Sequence, residues 1–120
     1  MSGGFAELKY KRKKIMEEIN VILKELKPYL NEKMQLTALP AKYKKQLIAF
    51  YYLAGKVEDG RTYTEREINE ILNQWTTFGD PATLRREMFN KYLLNRTDDC
   101  KSYWKEENIP SLQEFISRNI

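Results

Sequence analysis

Histidine is absent from this chain of 120 residues, and cysteine occurs once, as Cys100. A disulfide needs two cysteines, and the common zinc sites are built from cysteine and histidine. Both kinds of site are excluded within this chain, and we expect neither a metal ion nor a cofactor. No histidine is present to activate Cys100, so we interpret it as an incidental turn residue.

Long apolar runs are also lacking. The longest, residues 47–54, has eight residues, whereas a membrane-spanning helix needs roughly 20. The basic segment near the N-terminus is followed by Glu17 and Glu18, which interrupt any apolar core of a signal peptide. We therefore expect a cytoplasmic protein that does not act at a membrane.

Sequence motifs for catalysis are missing as well. The chain has no Gly-rich phosphate loop and no serine in a nucleophile elbow. Glu65, Glu67 and Glu70 lie at helical spacings that suit helix capping and contact with solvent. These absences predict that the protein is not an enzyme.

The composition suits one small folded domain. Hydrophobic residues make up 42% of the chain, enough for one core, and the length is too short for two ordinary domains. The formal net charge of +4 gives a mild attraction to polyanions such as a phosphate backbone. A solvated, lysine-rich surface accounts for the same charge.

An amphipathic helix is predicted in the N-terminal segment, residues 1–30, over residues 5–30. Apolar residues recur there at spacings of three, four and seven, and Pro28 ends the pattern. They are Leu8, Ile15, Ile19, Ile22, Leu23 and Leu26. This apolar face must pack either on its own domain or on the same helix of a second subunit, which leaves a homodimer as one alternative.

The remaining segments alternate helical patterns with turns. Residues 31–40 are predicted to be a linker, 41–105 to be the main domain, and 106–120 to contain a C-terminal helix opened by Pro110 and Ser111. Within the main domain we predict helices over 42–55, 64–73 and 81–92. A short extended piece is predicted at 61–63, and a two-stranded hairpin over 93–104, with Trp75 and Phe78 in a loop.

This order of elements is typical of one fold class. A helix, a short strand, two helices and then a hairpin form a winged helix-turn-helix, in which the helix before the hairpin is usually presented to the major groove of DNA. The predicted fold class is therefore mainly α with a small β-hairpin: a winged helix-turn-helix with extra N-terminal and C-terminal helices.

The helix over 81–92 carries side chains suited to reading DNA. If Leu84 and Met88 point inward, helical geometry puts Arg86 and Asn90 on the outward face together with Ala82 and Thr83, while Arg85 lies nearer the flank. Arginine binds guanine or phosphate, and asparagine binds adenine. The predicted DNA-binding residues are Lys42, Lys44, Lys45, Arg61, Thr83, Arg85, Arg86, Asn90 and Lys101.

Two features argue against this interpretation. Charged side chains on an exposed helix are often only a solvated surface, and Glu87 near the outward face would repel phosphates unless it neutralises an arginine. Asp98 and Asp99 at the predicted hairpin tip disfavour deep insertion of the hairpin into a groove.

The stretch from Leu39 to Trp104 resembles the bacterial domain-of-unknown-function family 2087. The most specific pieces are YTEREIN at 63–69 and LRRE at 84–87. The resemblance implies a winged-helix-like domain, found alone or joined to regulators of the ArsR type, and associated with transcription without an established activity.

Two positions depart from the pattern that this resemblance implies. Tyr92 stands where the family tends to have glycine before a Leu-Leu pair, and Cys100 stands where glycine tends to turn the wing. The N-terminal and C-terminal helices lie outside the matched stretch, and either could mediate a dimer.

Three functions stay open from the sequence. The first is a cytoplasmic, dimeric transcriptional regulator that binds double-stranded DNA. The second is a protein-interaction module with the same fold and no DNA binding, docking through its N-terminal helix. The third is a small-ligand sensor with a pocket lined by Tyr51, Trp75 and Phe78.

Overall fold

The first helix, α1, spans Gly3–Leu26 and is followed by one 3₁₀ turn at Lys27–Tyr29. The computed structural model describes residues 3–120 apart from the side chain of Phe5, so residues 1 and 2 of the predicted segment 1–30 lie outside the description. Pro28 has no amide hydrogen to donate, which ends the α-helical hydrogen bonding. The C-terminal part of α1 packs on the next helix through Ile22 and Leu26.

Helix α2, Tyr43–Ala54, forms the centre of the hydrophobic core. Seven of its twelve residues are buried: Leu47, Ile48, Ala49, Phe50, Tyr52, Leu53 and Ala54. The helix is therefore covered on most sides, by α1 and by two helices that follow later in the chain. It lies within the predicted range of 42–55.

A capping box starts helix α3, Glu65–Trp75, directly after strand β1, Thr62–Thr64. The Thr64 hydroxyl accepts a hydrogen bond from the Glu67 amide at 3.1 Å, and the Glu67 carboxylate accepts one from the Thr64 amide at 2.9 Å. The predicted cap is confirmed. The predicted end at residue 73 is wrong, because the helix continues to Trp75, whose ring packs under the Lys56 amine at 4.0 Å.

Helix α4 spans Pro81–Asn90, two residues shorter than predicted. The Asp80 carboxylate accepts a hydrogen bond from the Thr83 amide at 3.3 Å, and Pro81 occupies the first turn, where no amide donor is needed. At the other end the chain leaves the helix at Lys91.

Strands β2, Leu94–Arg96, and β3, Ser102–Lys105, form the predicted hairpin. Strand β1 also joins it, which gives a three-stranded antiparallel sheet in the order β1-β3-β2. Tyr63 of β1 pairs with Tyr103 of β3, and both are buried beneath the helices. The mainly helical fold class with a small β-hairpin is confirmed, and the sheet adds one strand to that hairpin.

The last helix, α5, spans Leu112–Asn119 and covers α2. The Glu18 carboxylate of α1 accepts a hydrogen bond from the Leu112 amide at the start of α5. The Tyr51 hydroxyl donates to the carbonyl oxygen of Pro110 at 2.7 Å, and burial, followed by the negative charge of Glu18, raises the pKa of Tyr51 to about 12. Residues from α1, α2 and α5 thus meet in one polar cluster.

The segment predicted as a linker, residues 31–40, is held against the body of the domain. Leu36 is fully buried. Its amide donates to the carbonyl of Trp75 at 2.8 Å, and its own carbonyl accepts from the Thr77 amide at 2.9 Å. The segment is therefore fixed through backbone and side chain, although it forms only isolated β-bridges.

Tyr92 and Cys100 adopt left-handed backbone conformations, with φ of 59° and 61°. At Tyr92 this conformation closes α4: the Leu93 amide donates to the Met88 carbonyl at 2.9 Å, the hydrogen bond of a Schellman motif, in which glycine is usual. These are the two positions at which the family resemblance implies glycine. A side chain at such a position strains the backbone.

Tyr92→Gly is therefore expected to stabilise the fold. Releasing the left-handed strain gains about 1–2 kcal/mol, and the extra chain entropy of glycine costs roughly 0.5–1 kcal/mol, while the Tyr92 side chain is 79% exposed and loses little contact. Urea denaturation measures the difference. The matched control is Tyr92→Ala, which keeps the strain and should not gain stability; an equal gain in both variants would contradict the explanation.

Candidate nucleic-acid interface

One face of α4 is open to solvent while the opposite face is packed into the core. Leu84 and Met88 are buried, as their spacing predicted. Ala82, Arg86 and Asn90 are exposed and Thr83 is partly so. The exposed residues lie four apart and so follow one line along the helix, which can lie against a flat or grooved partner.

The connection between α3 and α4 depends on Gly79. This residue has φ of 61°, a left-handed conformation that glycine adopts without strain. Two residues later Pro81 begins α4, with Asp80 as its cap. The chain therefore turns from α3 into α4 within a short loop, and the two helices pack directly on each other.

Arg85 lies beneath this face and holds three elements together. Its guanidinium is 3.2 Å from the Glu65 carboxylate of α3, donates to the side-chain oxygen of Asn69, and lies 5.5 Å from the ring centre of Tyr103 in β3. Only 15% of its side chain is exposed. Both terminal nitrogens of the guanidinium are engaged within the domain, so the geometry favours a structural role for Arg85 over contact with phosphate.

The start of α2 lies beside the end of α4. The Lys91 amine, just after α4, lies 5.9 Å from the ring centre of Tyr43 and 5.2 Å from that of Phe50. Lys42 and Lys44, which flank Tyr43, are exposed, and Lys45 is partly so. Lys44 lines a groove together with Glu17 of α1 and Leu112 of α5, so it lies on the side of α2 toward those helices rather than toward α4.

The tip of the hairpin carries opposite charges. Lys101 is exposed, but its amide and the Thr97 hydroxyl both donate to the Asp99 carboxylate, at 3.0 and 2.6 Å. The hydrogen bond from Thr97 is the main reason why the pKa of Asp99 lies below its ordinary value. Asp99 therefore stays ionised at neutral pH, and with Asp98 it offsets the charge of Lys101.

Arg61 lies away from the rest of the predicted set. It precedes β1, next to the residue that pairs with Trp104, so it is at the end of the sheet opposite the hairpin tip. Its guanidinium lies 3.3 Å from Glu58 and 3.4 Å from Glu67. The hydrogen bond to Glu58 is the first cause that raises the pKa of Arg61, which is engaged with two carboxylates rather than free.

Some of the basic residues predicted to bind DNA form no ion pair within residues 3–120, so their positive charge is available to an anionic ligand. These residues are Lys42, Lys44, Lys45, Arg86 and Lys101. The structure places the three lysines at the start of α2, with Lys44 toward α1 and α5, Arg86 on the exposed face of α4, and Lys101 at the hairpin tip.

The surroundings of Glu87 differ from the expectation. It pairs with Lys91 at 2.5 Å rather than with an arginine. The two residues are four apart on one helical turn, a spacing that could have revealed the pair. The repulsion expected from Glu87 toward phosphates is therefore reduced by a neighbouring positive charge.

The three aromatic residues predicted to line a ligand pocket do not meet in one cavity. Tyr51 and Trp75 line a groove of about 530 Å³ beside α1, and Phe78 is not among its lining residues. Within the described part of the chain, no cluster of three or more acidic or cysteine side chains is arranged to hold a metal ion. No helix among the described residues is long and apolar enough to cross a membrane.

Comparison with known proteins gives one match. The model of a family described as uncharacterised protein conserved in bacteria, DUF2087, matches residues 35–105. No curated protein and no solved structure was found to match the chain. The matched range includes α2, the sheet, α3 and α4, and leaves α1 and α5 outside it.

Proposed function

Since the chain belongs to the DUF2087 family of bacterial proteins, which brings no assigned activity with it, we propose from its own surface that it is a DNA-binding transcriptional regulator of the winged-helix type. The observation that carries the proposal is the exposed face of α4. Arg86 and Asn90 are exposed on this face, on the side of the helix opposite the buried Leu84 and Met88. Within residues 3–120 Arg86 forms no ion pair.

The order of elements supports the same proposal. Helix α2, strand β1, helices α3 and α4 and the hairpin β2–β3 follow one another as in winged helices, where the helix before the hairpin enters the major groove. Helix α4 holds that place here. Its short connection from α3 through Gly79 suits the turn of a helix-turn-helix.

Each side chain has a role in this proposal. Arg86 would donate its forked hydrogen bonds to guanine or phosphate, Asn90 would pair with adenine, and Thr83 would contact either. The phosphate contacts would come from Lys42, Lys45 and Lys101, whereas Lys44 lies toward α1 and α5. Arg85 and Arg61 are left out of the contact set, because both are held by carboxylates of the domain.

The hairpin would remain outside the groove. Asp98 and Asp99 put negative charge at its tip, next to the backbone that it would approach. Phosphates repel this charge, so the hairpin serves the fold by covering β1 and α3. The protein would act in the cytoplasm, as a pair of copies joined through α1, and without catalysis.

Replacing Arg86 by alanine is the direct test. Binding to random duplex DNA, followed by fluorescence anisotropy at several salt concentrations, should be salt-sensitive for the native protein because Lys and Arg displace counterions. Arg86→Ala should weaken binding by about tenfold and reduce the slope of log affinity against log salt by roughly 1. Circular dichroism checks that the variant keeps its fold.

Arg66→Ala is the matched control. Arg66 is an exposed arginine on the neighbouring helix α3 that already pairs with Glu70 at 3.3 Å, so its removal takes away the same formal charge with a smaller effect. Equal losses in both variants would place binding elsewhere than on α4. An absence of binding even at low salt would overturn the proposal and favour the protein-interaction module.

A further inference from the structure

The apolar stripe of α1 continues beyond the part that its own domain covers. Leu26, Ile22, Ile19, Ile15 and Leu8 share one side of the helix, and their exposed fractions rise along it from 0% to 8%, 48%, 54% and 57%. Neighbouring positions in this stripe are alternately four and three residues apart. Arg12 occupies the position between Ile15 and Leu8 that continues the alternation. This spacing is typical of the seam of a two-stranded coiled coil, and the part from Ile19 to Leu8 is not covered by the rest of the domain.

A groove runs along the uncovered half. It has a volume of about 530 Å³ and is lined by Ile15, Ile19 and Leu23 of α1 and by Met34, Tyr52 and Trp75 of the body. The Tyr52 hydroxyl donates to the Met34 carbonyl at 2.6 Å and fixes the wall of the groove. A helix laid along α1 would therefore bury apolar side chains against both α1 and the body.

The charges of α1 indicate which helix fits. Residues 9–14 contain five cations and no acid, whereas residues 15–25 contain three glutamates and one lysine. The cations are Lys9, Lys11, Arg12, Lys13 and Lys14, and the glutamates are Glu17, Glu18 and Glu25. A parallel pair of such helices would bring the two basic runs together along their whole length, whereas an antiparallel pair can move part of each basic run next to Glu17 and Glu18 of the other copy.

We propose that the occupant is α1 of a second copy of this chain, packed antiparallel. In this register Leu8 lies beside Ile19 of the partner subunit, and Arg12 lies beside Ile15 of the partner subunit. Flanking the seam, Lys11 then faces Glu18 of the partner subunit. Glu18 lines the groove, and its hydrogen bonds from Leu112 and Tyr51 both go to Oε1, which leaves Oε2 for this contact. The two-fold symmetry repeats every contact. The proposal deepens the proposed pairing of two copies and does not depend on DNA binding.

Disulfide trapping tests both the pairing and its direction. Leu8→Cys and Ile19→Cys are prepared separately in the full chain with Cys100→Ser, and one of them is labelled with ¹⁵N so that mass spectrometry distinguishes the products. The two proteins are mixed in a glutathione buffer. An antiparallel pair brings residue 8 to residue 19 and gives mainly the mixed disulfide, whereas a parallel pair brings each residue to its own copy.

Tyr10→Cys in place of Leu8→Cys is the matched control, since Tyr10 is exposed on α1 but lies off the seam. A mixed 8–19 disulfide in excess over both homodisulfides and over this control supports the proposal. Homodisulfides in excess would overturn the direction. Cross-linking no higher than the control would overturn the pairing.

Sedimentation velocity gives a second readout without cysteines. The native chain should sediment as a dimer, and Ile15→Glu, at an exposed position outside the core, should sediment as a folded monomer. A dimer that persists in Ile15→Glu would contradict the proposed surface. Neither experiment involves DNA, so a failure of DNA binding leaves the result intact. A monomer that binds DNA would overturn this proposal and the pairing through α1, and would leave DNA binding by α4 in place.

Discussion

Leu36→Ala is expected to lower the free energy of unfolding by about 2–5 kcal/mol, the usual cost of truncating a fully buried leucine. The side chain has no exposed surface, and its backbone is hydrogen-bonded to Trp75 and Thr77 on both sides. These hydrogen bonds limit how far the segment can move to close the cavity. Urea denaturation followed by circular dichroism measures the loss.

Glu32→Ala provides the comparison within the same segment. The Glu32 side chain is exposed and forms no ion pair among residues 3–120. Its truncation should change the free energy of unfolding by less than about 0.5 kcal/mol, the usual range for a surface substitution. If Leu36→Ala cost as little as Glu32→Ala, residues 31–40 would behave as a detached linker.

The second large effect is expected at Phe115, in a helix that the family match does not include. Phe115→Ala should destabilise the fold by about 3–5 kcal/mol, because its ring is buried on α2 and lies 5.5 Å from the ring centre of Tyr51. Loss of this anchor would also loosen the contact of α5 with Glu18. The fold would then depend on α5 even though the family model ends at residue 105.

Ile120→Ala distinguishes this explanation from a general sensitivity of the C-terminus. Ile120 follows α5 and is mostly exposed, so its truncation should change the free energy of unfolding by less than about 0.5 kcal/mol. Thermal denaturation of both variants checks the difference. A small effect at Phe115 would mean that α5 is dispensable for the stability of the domain.

The candidate DNA-binding face was predictable only in part. The spacing of Leu84 and Met88 was sufficient to place Arg86 and Asn90 on the exposed side of α4, because side-chain direction in a helix follows from the helical repeat. The same repeat could not show that Arg85 is held by Glu65 and Asn69. Those partners lie on another helix, and the distance between two helices is set by packing.

The same division holds for the elements. The caps at Thr64, Asp80 and Ser111 could be predicted, because each acceptor meets an amide three residues later and needs no other part of the chain. The end of α3 could not, since Trp75 is kept in the helix beneath Lys56 and by the backbone of residue 36.

By itself the sequence determined the local features of this protein: where helices begin, which side of α4 is apolar, and how charge changes sign along α1. Only the tertiary structure decided that Leu36 belongs to the core, that Glu18 reaches the start of α5, 94 residues away in sequence, and that half of the α1 stripe stays uncovered. The physical reason is range. Hydrogen bonds within one turn are set by neighbouring residues, whereas burial depends on which distant surfaces the folded chain brings into contact.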